Sequence, residues 1–85
     1  MDSALVELPT KNEIRIMDLE KGDIRLEWDA DKPHEVEAAR EAFDSAKDRG
    51  MLFYKIKRSG KQGKEITEFD PSAERIVGIP PVRGG

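Results

Sequence analysis

The sequence predicts an α+β fold, with one helix packed across a mixed sheet of four to five strands. Three observations predict it. Two segments near the start, NEIRIMD and DIRLEWD, alternate apolar and polar residues with period two. The segment DADKPHEVEAAREAFDSAKDRG places its apolar residues at helical spacing. The second half then returns to short strand-like runs, MLFYKIK and RIVGI, separated by turns that contain Gly and Pro.

Each element has its own reason. In the first strand Ile14 and Ile16 share one face, with Arg15 and Met17 on the other. In the second, Ile24, Leu26 and Trp28 oppose Arg25, Glu27 and Asp29. Between them LEKG supplies Gly22, which takes a positive φ at no steric cost and closes a hairpin. The helix starts at an N-cap of Asp31 or Lys32. Pro33 occupies the first turn, where its missing N–H is harmless. Glu35 and Glu37 suit the positive end of the helix dipole, and Lys47 and Arg49 the negative end. Val36, Ala39, Phe43 and Ala46 form one stripe, and its two alanines permit close approach to the sheet. Gly50 is placed to end the helix as its C′ residue.

In MLFYKIK, Leu52, Tyr54 and Ile56 alternate with Met51, Phe53 and Lys55. Tyr54 joins Trp28, Phe43 and Phe69 as expected core. That phase puts Met51 and Phe53 on the open face of the sheet, as part of an apolar patch with Val77 and Ile79 if Ile76 points inward. RSGKQGK is a turn, EITEFDPSAE a short extended piece with a turn at Pro71, and RIVGI a final strand inserted beside the first. Pro80 and Pro81 cannot donate to a ladder and so end that strand. The expected organisation is a leader over 1–12, a domain over 13–79 and an exposed tail over 80–85.

Bulk properties narrow the function. Eighty-five residues make one domain with a modest core. The net charge of −3 disfavours general nucleic-acid affinity. The absence of cysteine excludes disulfides, thiolate metal sites and a cysteine nucleophile, and fits a reducing cytoplasm. No segment has the length and apolarity of a membrane span, and MDSALVELPTKNE lacks the features of a signal peptide. No Gly-rich phosphate loop, metal-ligand spacing or nucleophile–base pair is visible, so neither a cofactor nor enzymatic activity is expected. His34, the single histidine, falls at the helix start, where solvent exposure is expected. Glu37, Glu41 and Asp44 have basic neighbours such as Arg40 at helical spacing and read as a solvated face.

With these elements in place, the chain resembles the ubiquitin-like β-grasp superfamily over about residues 13–85. EIRIMDLEKGDIRLEWDADKPHEVEAAREAFDSAKDRG is similar to the hairpin and helix of ubiquitin, and Met51 to Gly85 to its second half, closing in RGG. The ending IVGIPPVRGG resembles the sulfur-carrier branch, the small subunit of molybdopterin synthase and thiamine-type relatives. The resemblance implies a modifier or sulfur carrier, monomeric and without catalytic activity of its own. Its partners would be a separate adenylating enzyme and an acceptor protein or sulfur-transfer partner.

The tail residues suit such chemistry. A terminal carboxylate has a pKa of about 3.5, so at neutral pH it is an anion and a poor acyl donor until a partner activates it. Gly84 and Gly85 have no Cβ and let the backbone pass close to a nucleotide. Pro80 and Pro81 stiffen the exit, Val82 offers an apolar contact and Arg83 a cation for an acidic channel. From Pro80 to Gly85 the extended reach is about 19 Å at ~3.1 Å per residue. A second reading is a protein-interaction module that docks partners on the open sheet face and has an inert tail. A third rests on Lys55, Lys57, Arg58, Lys61 and Lys64 beside Phe53 and Tyr54. These cations offer a surface for an acidic partner or RNA, or guard a strand edge against sheet-to-sheet pairing.

Overall fold

Period-two patterning at the start of the chain produces a hairpin. The computed structural model describes residues 11–57 and 63–81. Within them β1 (Asn12–Asp18) pairs antiparallel with β2 (Gly22–Trp28), from Asn12 opposite Trp28 to Asp18 opposite Gly22. Asn12, assigned to the leader by sequence, therefore belongs to the sheet. Its amide donates to the Ala73 carbonyl at 2.5 Å. The turn is set by Asp18, whose Oδ1 accepts the N–H groups of Glu20 at 2.8 Å and Lys21 at 3.1 Å. Gly22 follows at φ +82°.

The helix α1 (Pro33–Asp48) starts after Lys32 with Pro33 in its first turn, and Lys32 makes no side-chain cap. Its other end is a Schellman motif: the Gly50 N–H donates to the Lys47 carbonyl at 2.8 Å, and the Met51 N–H to the Ala46 carbonyl at 3.3 Å. Gly50 has φ +90°, the left-handed geometry this ending needs. Ala39, Phe43 and Ala46 are buried and Val36 half-buried, so the predicted stripe faces the sheet.

Three further strands, β3 (Leu52–Ile56), β4 (Lys64–Ile66) and β5 (Arg75–Ile79), complete one five-stranded sheet in the order β2-β1-β5-β3-β4. The last strand lies beside the first, parallel to it, and antiparallel to β3. The fold is thus α+β, with one helix on a mixed sheet. The core fills the space between them: Ile14, Ile16, Trp28, Phe43, Phe53 and Ile76 are each at most 2% exposed. The turn after β4 is pinned to this core. Trp28 donates its indole N–H to the Pro71 carbonyl at 3.0 Å, and the Phe69 ring lies 5.2 Å from the Trp28 ring.

The phase of β3 is the reverse of the sequence expectation. Phe53 and Met51 are buried on the helix side, and the Phe53 ring centre lies 4.2 Å from that of Phe43. Leu52, Tyr54 and Ile56 take the other face and are half-buried, so Tyr54 is not core. Both phases of MLFYKI are apolar, and alternation alone does not choose between them. Space does: Phe53 pairs with Gly78, where an added Cβ would fall 2.5 Å from the Phe53 ring. The missing side chain makes room for the ring. Ile76 points inward as the open-face reading required, leaving Val77 and Ile79 on the open face.

Candidate functional site: the open sheet face and the tail root

The strand registers lay out the open face row by row. Leu52 lies opposite Ile79, and Tyr54 opposite Val77. Val77 lies beside Arg15, and Arg15 beside Arg25. In the next row Ile56 meets Arg75, which lies beside Glu13, and Glu13 beside Glu27. The face therefore divides in two. Over β1 and β2, together with Arg75 at the start of β5, it is a charge network. Glu13 accepts from Arg25 and pairs with Arg75 at 3.1 Å, and Arg25 lies 3.7 Å from Glu27. Over β3 and β5 it is apolar, with Leu52, Tyr54, Val77 and Ile79 half-buried. Met17 is 42% exposed, and Leu19 in the neighbouring hairpin turn is 86% exposed.

The apolar half leads to the root of the tail. An open cleft of about 610 Å³ lies there, lined by Met17, Leu19, Arg49, Met51, Pro80 and Pro81. Pro81 passes the helix end, where a Cβ on Gly50 would come 3.9 Å from its ring. Asp18 braces the cleft wall by joining the hairpin turn to Arg49 just past the helix. The backbone N–H groups of Glu20 and Lys21, and then the Arg49 guanidinium, hold its carboxyl at a pKa of about 2.

Of the residues proposed for partner binding, Ile79 and Pro80 are half-buried and Pro81 is exposed at this root. Val82, Arg83, Gly84 and Gly85 lie outside the described residues. Met51 and Phe53 are removed from the open-face patch, since both are buried in the core. Their places are taken by Leu52, Tyr54, Met17 and Leu19. Leu19 carried a readable signal, an apolar residue in the otherwise polar turn DLEKG. Of the basic stripe, Lys55, Lys57 and Lys64 line one cleft, but Tyr54 is not beside them. Lys55 lies on the helix side with Asp70, Tyr54 on the open side, and Arg58 and Lys61 outside the described residues. His34 is exposed. Among the described residues no group of three or more metal-ligating side chains occurs, and no helix is long and apolar enough to cross a membrane.

No protein family, curated protein or solved structure matches the chain.

Proposed function

We propose that the chain is a ubiquitin-like β-grasp protein, a modifier or sulfur carrier whose Gly85 carboxylate is activated by a separate adenylating enzyme. The observation that carries this reading is the path of β5. It is the central strand, parallel to β1 and flanked by β3, and it runs directly into Pro80 and Pro81, which line an open cleft. The sequence VRGG follows. A strand held on both sides is a rigid base from which to present an extended segment.

The chemistry needs Gly85 to carry a free carboxylate, either as encoded or after processing. That carboxylate attacks the α-phosphorus of ATP and expels pyrophosphate, leaving an acyl-adenylate. A sulfur nucleophile or a lysine amine then attacks the carbonyl and expels AMP. The apolar half of the open face and the cleft beside Pro81 give the partner a footing while the tail enters its site. Incubated with its adenylating enzyme and ATP, the full chain should support ATP–pyrophosphate exchange. Gly85→Ala should impair exchange by placing a methyl beside the reacting carbonyl, and the chain ending at Arg83 should abolish it. Undiminished exchange by the truncated chain would refute the proposal.

A second reading, an interaction module with an inert tail, is favoured by the apolar half-face itself. Leu52, Tyr54, Val77 and Ile79 lie on the face opposite the helix, next to the exposed Met17 and Leu19. On that reading truncation at Arg83 is silent, whereas Tyr54→Ala or Ile79→Ala weakens partner binding.

A further inference from the structure

The fold explains the cations at the end of β3 and β4 only in part. Five of the chain's fifteen Lys and Arg residues fall between positions 55 and 64, with no acid among them, in a chain of net charge −3. The register sets Lys55 directly opposite Lys64. Such a pair brings two Cβ atoms to within about 4.5–5.5 Å, and like charges placed so are destabilising. Lys57, two residues on from Lys55, continues the same phase. Protection of a sheet edge accounts for Lys64, because β4 is an edge strand. Lys55, on a strand paired on both sides, is held instead by its ion pair with Asp70 at 3.0 Å.

These lysines line an open cleft of about 360 Å³ together with Asp70, Ser72 and Glu74. Asp70 is already engaged. It accepts from the Ser72 hydroxyl at 2.7 Å and from Lys55 at 3.0 Å, and both bonds hold its carboxyl below the usual range. Asp70 thereby fixes Lys55 against one wall. Among the described residues no acid pairs with Lys57 or Lys64, and both are exposed.

We propose that this cleft is a docking site for an acidic peptide segment, with Lys57 and Lys64 as the cations that meet its carboxylates. Asp70 offsets the charge of Lys55 but not those of Lys57 and Lys64, which a partner of that charge would neutralise. Single-stranded nucleic acid fits less well, since base stacking needs an aromatic platform. Tyr54 faces the opposite side of the sheet, and Phe69 is packed against Trp28 and Phe43. The site is independent of the tail, so the chain ending at Arg83 should bind equally well.

The test is a titration of the ¹⁵N-labelled full chain with an acetylated hexapeptide alternating glutamate and valine. Amide shifts should concentrate at Lys57, Lys64, Ser72 and Ala73. Affinity should fall about tenfold in Lys64→Glu and again when salt is raised to about 0.5 M. Lys21→Glu makes the same change of charge at the distant hairpin turn and should leave affinity within about twofold. Lys64→Gln should weaken binding with a melting temperature unchanged or raised, because it removes a repulsion. Equal losses in Lys64→Glu and Lys21→Glu would overturn the proposal by reducing it to overall charge. So would absence of the localised shifts, or tighter binding of an oligouridylate at the same amides.

Discussion

The two faces of the sheet share the same strands and the same period-two alternation, yet they are built differently. The helix face gathers Ile14, Ile16, Trp28, Phe53 and Ile76 against Ala39, Phe43 and Ala46, all buried. The open face pairs a charge network over β1, β2 and Arg75 of β5 with a half-buried apolar strip over β3 and β5. One face is spent on stability. The other leaves apolar area that the fold does not fully cover, next to the root of the tail. Substitutions should therefore separate by face: those on the helix side act on folding, those on the open side on association.

The largest effect is expected at the centre of the helix face. Phe43→Ala should destabilise the protein by about 3–5 kcal/mol, measured by chemical denaturation, because the ring is fully enclosed and packs on Phe53 and Phe69. An unchanged midpoint would contradict the helix register. Next comes Gly78→Ala. The added Cβ would press into a Phe53 ring already held by Phe43, so a loss of about 1–3 kcal/mol is expected. A neutral result would show that the ring moves freely and that Gly78 does not set the phase of β3.

A third test concerns pH. The Asp18 carboxyl is lowered from 3.8 to about 2 in the folded protein, chiefly by the N–H groups of Glu20 and Lys21 and then by Arg49. A depressed carboxylate stabilises the fold above its unfolded pKa, and that contribution is lost as pH falls through the folded value. Thermal stability should thus decline between about pH 4 and pH 2. Asp18→Asn should start lower at neutral pH and show a shallower decline over that window. Equal slopes in both proteins would remove the Asp18 clamp. The smallest effect on folding is expected at the exposed turn. Leu19→Ser should change stability by no more than about 0.5 kcal/mol, while weakening any partner that uses the apolar strip.

Much of the helix face was legible in the sequence because only one arrangement satisfies it. The stripe Val36, Ala39, Phe43 and Ala46 has a single apolar side, and Pro33 and Gly50 mark its ends. The hairpin was equally plain, since Ile14 and Ile16 alternate with charged or exposed neighbours. In β3 the pattern fails, because Met51 to Tyr54 is apolar in both phases. The deciding fact is the absence of a side chain at Gly78, on another strand and far along the chain. The Asp18–Arg49 pair was hidden for a related reason. It spans 31 positions and depends on where the helix ends relative to the hairpin turn. Ile79, Pro80 and Pro81 could be placed at the end of the last strand from the sequence alone, whereas Leu52 and Tyr54 could be placed on the open face only after the phase of β3 was known.

The most direct measurement of the central claim reads the tail chemistry in the native host. The chain is expressed there with an N-terminal tag, purified under denaturing conditions, cut with trypsin and analysed by mass spectrometry. Trypsin cleaves after Arg83, so conjugation through Gly85 leaves a Gly–Gly remnant on acceptor lysines of co-purified proteins. The account predicts that remnant or, for a sulfur carrier, a C-terminal peptide in which sulfur replaces one carboxyl oxygen. Neither product should form from the chain ending at Arg83. Recovery of the full chain only with an unmodified Gly85, joined to nothing, would contradict the account.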